Sequence, residues 1–436
     1  MKLVCLPSRF HGLSRTAAAL GCAALALADW PEYLGPNHNS TTASRIATAW
    51  PAGGPKTVWK TPTPAGFSTF AVAGGRAFTL VLREADGANQ EVCLALDAAT
   101  GRELWAAPLN LAKYDGGGDS GTPDNQGGDG PRSTPAAAGD RVFVFDGRFK
   151  LHCLNAASGA PVWAHDLLAE FGGKMISWQN AASPVLDGDL VFVAGGGAGQ
   201  SLLAFRQADG TLAWKQGTET PTHATPTVAT IHGVRQVIFF TQSGLVACET
   251  GTGRELWRQP FRFSVSTAAS PVVAGDIVYC SAGYGVGAGA YRISREGDTW
   301  KSTELWRKTG NELANHWSTP VVKDGYLYGM FSFKEFGSGP LKCVELATGR
   351  VAWSEKNFGP GGVVLAGGVL VALNDRGEVV LVDPQPGAYK ELGRFAAVAG
   401  KCWNHPTVSD GRLYVRSTRE GACLDLTPAP AQTAAR

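Results

Sequence analysis

The side chains with the most chemistry to offer sit just ahead of short stretches led by proline. They are Arg132; Trp178, Gln179 and Asn180; His223; Asn315, His316 and Trp317; and Trp403, Asn404 and His405. Amides, imidazoles and indoles gathered at one mouth suit a funnel that holds an aromatic or polar small molecule, or a peptide segment. The same types suit the ends of inner strands, where they satisfy backbone groups and line a wet channel. Residue types alone leave both readings open. A second candidate chemistry lies between Tyr114 and Pro131, where Asp115, Asp119, Asp124 and Asp129 stand among glycines. Such oxygens on a supple loop can wrap a hard cation such as calcium. Their spacing matches no EF-hand, and a solvated flexible loop accounts for them as well. Zinc pairs of the His-x-x-x-His or Cys-x-x-Cys kind are missing. Gly283, Gly285, Gly287 and Gly289 open no helix, as a nucleotide loop must, and no Gly-x-Ser-x-Gly elbow occurs.

The elements that must position these residues are announced by a repeated phrase: a small residue, an acid or amide, a Thr-Gly turn, then tryptophan. Its fullest copy is Ala95, Asp97, Thr100, Gly101 and Trp105. Copies follow at Cys153, Asn155, Ser158, Gly159, Trp163; at Ala204, Asp209, Gly210, Trp214; at Ala247, Glu249, Thr252, Gly253, Trp257; and at Cys343, Glu345, Thr348, Gly349, Trp353. Self-similarity at a period of about 40–50 residues means stacked supersecondary units, here propeller blades. Apolar, β-prone runs such as Val142–Phe145 and Ile277–Tyr279 precede each phrase and follow Gly-Asp or Asp-Gly turns. Upstream again come prolines at 135, 184, 226, 271, 320 and 406, suited to the first residue of a strand because proline gives the ladder no donor.

One unit therefore reads as four strands. Trp59, Trp105, Trp163, Trp214, Trp257, Trp306 and Trp353, with Phe395 as a substitute, mark eight fourth strands and dock each blade on the next. The expected fold is all-β: an eight-bladed propeller of four-stranded antiparallel blades. The orphan strand at Thr57–Lys60 should pair with the third strand at Ala422–Leu426 and close the ring. A seven-bladed ring would require a miscount near Gly359–Phe395. The turns between first and second and between third and fourth strands are short. Insertions gather on the other face, at Arg83–Glu91, Asn110–Arg132, Gly195–Ser201, Gly283–Ala290 and Lys334–Pro340. Binding residues concentrate on such loops, so this is the expected working face.

Residues 1–28 read as a secretory leader: Lys2, Arg9 and Arg15, an apolar run from Thr16 to Leu27, and Ala26-Leu27-Ala28 before the cut. Cys22 offers lipid anchoring as the alternative. The expected organisation is the leader, one propeller over 29–428, and a disordered tail over 429–436. Removing three basic residues takes Lys+Arg from 39 to 36 against 37 acids. That balance gives no electrostatic case for nucleic acid, and no later segment is long and apolar enough to span a bilayer. Seven cysteines remain after Cys5 and Cys22 are lost. Cys153, Cys343 and Cys423 fill a small-residue slot, so the set reads as packing, with Cys402 and Cys423 the one same-blade pair worth testing.

The phrase resembles the tryptophan-docking motif of the quinoprotein (PQQ-repeat) β-propellers over essentially all of Asp29 to Leu426. The opening Asp29-Trp30-Pro31 with Leu34-Gly35-Pro36-Asn37 is similar to exported bacterial members of that group. The resemblance implies either a PQQ-dependent dehydrogenase or a cofactor-free scaffold such as the outer-membrane assembly propeller lipoprotein. Dehydrogenases of the group typically carry an adjacent cysteine pair, calcium-holding acids and an Asp base at the channel mouth. This chain has no Cys-Cys, and the matching lead-ins offer Asn180, Asn315 and Asn404 but no carboxylate. The expectation is an exported, monomeric, non-catalytic binding or scaffold propeller, periplasmic or extracellular. It would hold a cell-envelope protein or small molecule at its loop-rich face and funnel. The alternative is an alcohol or sugar dehydrogenase using PQQ over calcium, with Trp178, Trp317 or Trp403 stacked on the quinone. A third, weaker reading is polysaccharide recognition through exposed aromatics.

Overall fold

A computed structural model describes residues 1, 29–51, 53–85, 87–111, 130–265, 267–331 and 333–428. Residues 2–28 of the expected leader, the acidic residues Asp115, Asp119, Asp124 and Asp129, and the tail all lie outside the described residues. Among the described residues strand succeeds strand with one short helix, Leu167–Phe171, and the strands group into eight sheets. The protein is an eight-bladed β-propeller. Blade 1 is Ala71–Ala73, Arg76–Ala85, Ala88–Asp97 and Glu103–Leu111; blades 2 to 7 repeat that antiparallel order, the seventh running from Gly362 to Ala396. Blade 8 is closed from both ends of the chain: Lys56–Pro62 pairs antiparallel with Glu420–Asp425, with Trp59 opposite Cys423.

Each blade docks on the next through its terminal indole. The Nε1 of Trp59, Trp105, Trp163, Trp214, Trp306 and Trp353 donates to the carbonyls of Ala98, Ala156, Gln207, Thr250, Leu346 and Gln385, at 2.8–3.1 Å. The glycine of the repeated turn has two duties. Gly101 adopts φ +72°, and a Cβ there would come within 2.6 Å of the Trp59 ring. The turn's Asp97 accepts from the Ala99 and Thr100 N–H groups and the Thr100 hydroxyl. Trp257 departs from the rule because blade 5 replaces the Thr-Gly turn with a long hairpin, Gly287–Glu296 and Thr299–Lys308. Its Nε1 donates instead to Gln236 Oε1 of its own blade at 2.6 Å. Phe395 faces the seam where blade 8 has no turn, and it packs edge-on against Trp50, 5.0 Å between centroids.

At the axis, the residues before the prolines link the blades. The Thr69 N–H donates to Thr134 Oγ1, Thr134 N–H to Ser183 Oγ, Ser183 N–H to Thr225 Oγ1, and Ser270 N–H to Thr319 Oγ1, at 2.9–3.0 Å. The seam between blades 8 and 1 holds Arg416, fully buried, which donates to the Thr79 hydroxyl and to the carbonyls of Leu80, Thr63 and Ala65. Burial lowers its pKa to about 9.

Some expectations need correction. Arg83–Glu91 is largely strand: Arg76–Ala85 and Ala88–Asp97 run into it and pair in register, Arg83 opposite Gln90 and Glu84 opposite Asn89. The third strand of blade 5 begins at Gly287, inside the stretch expected as a loop to Ala290. That blade's Glu296–Thr299 tip extends the otherwise short-turned face. Blade 7, the suspected miscount, is complete and gains a fifth, parallel strand from Thr41–Thr42. All seven described cysteines are buried and free, so Cys402 and Cys423 form no bridge.

Candidate functional site

The lead-ins to the inner strands converge on the loop-rich end of the channel, and there they divide by role. The amides are spent on backbone. Asn180 is 3% exposed; its Nδ2 donates to the carbonyls of Phe145, Asp146 and Ala182, and its Oδ1 accepts from Ala182 N–H. Asn315 is fully buried, donating to the Met330 carbonyl and accepting from the Tyr279 hydroxyl at 2.5 Å. Asn404 donates to the Ser68 carbonyl at 3.2 Å, while its Oδ1 has no partner. These contacts fix the lead-ins to neighbouring blades, which is the work of a buried polar group that must be satisfied.

A first group forms over blades 2 to 4. Arg132 donates to the Trp178 carbonyl at 3.1 Å, and His223 Nε2 lies 3.0 Å from the Ser177 carbonyl. Trp178 and Gln179 hold this bend at φ +63° and +61°. Burial, with the Arg132 charge adding to it, pulls His223 down to about 4, so it is neutral at pH 7. Beside this group lies a polar cluster that the sequence did not single out. Asn110 Nδ2 bridges Glu91 and Asp146, at 2.9 and 2.6 Å, and His152 Nε2 is 2.9 Å from Asp146. Glu91 and Asp146 are both buried. Glu91 lies in a strand and Asp146 just beyond the strand that ends at Phe145, on different blades, so only the fold reveals the cluster.

A second group, reaching from blade 5 round to the lead-in of blade 1, is aromatic. Trp403 stacks with Phe67 at 5.1 Å and with Phe336 at 5.0 Å, interplanar angles 21° and 17°, and Trp317 lies 4.8 Å away. Trp317 Nε1 donates to the Pro360 carbonyl, leaving its ring to the cluster. His316 is ringed by Tyr284, Trp317 and Phe333, all within 5.2 Å, and burial holds it down at about 3. Lys334 Nζ stands over Tyr284 and Phe333, and Lys401 Nζ over Trp403 at 4.9 Å. Phe336 and Tyr284 remain 36% and 40% exposed. Neither was singled out from sequence; both stand on loops whose length alone marked them.

The opposite end of the channel is filled by the segment after the leader. Trp30 exchanges two backbone bonds with Val72 of blade 1, Ala137 N–H donates to the Pro31 carbonyl, and Glu32 Oε2 accepts from Leu186 N–H of blade 3 at 2.9 Å. Glu32 also pairs with His38. Tyr33 OH lies 3.3 Å from His405 Nε2, and burial pulls His405 down to about 4. Ser40 and Thr42 then bond to Leu365 and Gly367 of blade 7.

PQQ seated over calcium needs oxygen lone pairs free at the mouth. Those of Asn180 and Asn315 are already engaged, while Asn404 Oδ1 has no partner, and among the described residues no three His, Cys, Asp or Glu side chains stand close enough to share a metal ion. No described helix is long and apolar enough to cross a membrane.

Comparison with known proteins agrees with the architecture. A family model described as outer membrane protein assembly factor BamB matches residues 88–355 and 337–427. The chain is 26% identical over 297 residues to the outer membrane protein assembly factor BamB of Shewanella oneidensis, covering 65% of this chain and 71% of that protein. With the same factor from Moranella endobia the identity is 24% over 305 residues, covering 67% of this chain and 60% of that protein. Among solved structures, BamB from Moraxella catarrhalis matches with TM-score 0.58 and 16% identity, over 87% of this chain and all of that one. Quinohemoprotein alcohol dehydrogenase from Comamonas testosteroni matches with TM-score 0.63 and 14% identity, over 92% of this chain and 81% of that one. At these identities the two solved structures speak for the fold alone.

Proposed function

The chain belongs to the family described as outer membrane protein assembly factor BamB, within the PQQ-like propellers, and on that premise we propose that it is an exported, non-catalytic scaffold. It captures a cell-envelope protein at its loop-rich face. The observation that carries this reading is how the mouth spends its groups. Amides suited to ligating a cofactor turn inward to backbone carbonyls, while Met175, Tyr284 and Phe336 are exposed. Exposed apolar side chains rimmed by charge on a rigid ring suit protein contact better than they suit acid–base chemistry. Export by the leader over 1–28, or anchoring at Cys22, belongs to the same proposal, as does the monomeric state.

The test is cross-linked capture from the cell envelope with the purified protein and with Trp317→Ala and Trp403→Ala. Both variants should lose most of the captured partner while keeping a cooperative melt. Unchanged capture removes the mouth from the proposal. Saturable PQQ absorbance in the presence of calcium, with alcohol- or sugar-dependent dye reduction, would replace scaffold by oxidoreductase.

A further inference from the structure

Oxidisable sulfur is distributed unevenly over this fold. Beyond the expected leader the chain carries seven cysteines and two methionines, Met175 and Met330. All seven thiols are buried and free, and Met330 is fully buried in blade 6. Burial pushes every thiol up, Cys343 to about 11 and Cys153 and Cys423 to about 12, so none is the thiolate that oxidants attack. Met175 is the exception, 43% exposed. It lies between the helix Leu167–Phe171 and the inner strand Val185–Asp187, on the loop-rich face. That segment is pinned along its length. Gly173 N–H donates to the Leu167 carbonyl, Asn180 N–H donates to the Gly147 carbonyl, and Arg132 holds the Trp178 carbonyl. Ile176, the next residue, packs into the core shared by blades 2 and 3. Trp178 and Gln179 sit in the left-handed region, a conformation that persists only where the surroundings enforce it. A segment held this firmly still leaves its thioether in water.

We propose that Met175 is a reversible oxidation site, and that its sulfoxide switches off binding at the loop-rich face. The inference rests on that face being where the partner is held, and adds how its hold is regulated. The oxidant is a peroxide. The thioether sulfur attacks one peroxide oxygen, an S–O bond forms and the O–O bond breaks. The proton left on the transferred oxygen goes to the departing hydroxide, which leaves as water; sulfur is oxidised and the peroxide reduced. An unbranched, polarisable thioether fills irregular gaps against a partner. A sulfoxide carries an acceptor oxygen that the same contact would bury without a donor. The remaining sulfur atoms between residues 29 and 428 are buried, so peroxide acts on the binding face and spares the ring.

The test treats the purified full chain with hydrogen peroxide, destroys the excess with catalase, and then measures cross-linked capture from the cell envelope. Peptide mapping from residue 29 onward should place added oxygen on Met175 alone, with the melt unmoved. Capture should fall about 10-fold and return after treatment with methionine sulfoxide reductases and a dithiol. Met175→Leu should show the same capture before and after peroxide. Met175→Gln, which carries a polar oxygen permanently, should capture as weakly as the oxidised protein. Oxygen appearing first on a thiol or on Met330, or capture by Met175→Leu that peroxide still abolishes, would each overturn the assignment. Full capture by a protein mapped as the Met175 sulfoxide overturns the switch alone, whereas untreated protein that captures nothing overturns the scaffold reading with it.

Discussion

The two ends of the central channel are built on opposite plans. At the short-turned end, Trp30, Glu32 and Ser40 are buried and bonded to blades 1, 3 and 7, and the interblade indoles sit on their neighbours' turns. At the loop-rich end, rings stack on rings and stop at solvent. A satisfied hydrogen-bond network has one good arrangement, whereas a stack of rings can accept one more flat group. Hydrogen-bonded closure is thus concentrated at one end, and the proposed recognition at the end left open.

The largest effect that would break this contrast is at the seam. Trp59→Ala removes an indole that fills the space over Gly101 and donates to Ala98. It should cost about 3–5 kcal/mol in denaturant melts, and a loss under about 1 kcal/mol would show that closure rests elsewhere. A middle-sized effect comes from His405, the residue joining the two ends through Tyr33. Its folded pKa is depressed to about 4, below the ordinary 6.5. Its contribution is therefore complete above about pH 6.5 and is lost as pH falls toward 4, because only the unfolded state takes up the proton in that window. His405→Gln should flatten the melting profile there by at most about 1.4 kcal/mol per pH unit. An unaltered slope would assign the loss to His223 and His316. The smallest effect sharpens the contrast: Phe336→Ala should cost only about 1 kcal/mol, since its ring is partly exposed and its one stacked partner is Trp403. A cost above about 2 kcal/mol would make the stack part of the core.

Much of this was legible before any coordinates. The repeated turn needs an acceptor side chain, a glycine at positive φ and a large indole, and each requirement is met locally, so Asp97, Gly101 and Trp105 declare themselves in one dimension. The seam was legible for the same reason, as an unpaired fourth strand at one end and an unpaired third at the other. The exceptions show the limit. Trp257 bears the phrase yet bonds to Gln236 within its own blade, because its partner blade carries a hairpin where the turn should be. Asn180, Asn315 and Asn404 could from sequence either line a funnel or tie down strand ends, and only the fold shows that their Nδ2 groups donate to carbonyls 2 to more than 300 residues away. Phe336 gave no signal, since a phenylalanine in a loop looks the same whether it is capped or bare.

Sequence by itself determined the blade, the number of blades and the manner of closure, because those depend on contacts within a repeat and between adjacent repeats. Tertiary structure alone decided which polar groups were already spent, that the segment from Trp30 to Thr42 fills one end of the channel, and that Phe67, Phe336 and Trp403 meet at the other. The ring brings residues hundreds of positions apart to one axis, and no local pattern records which of them will face each other there.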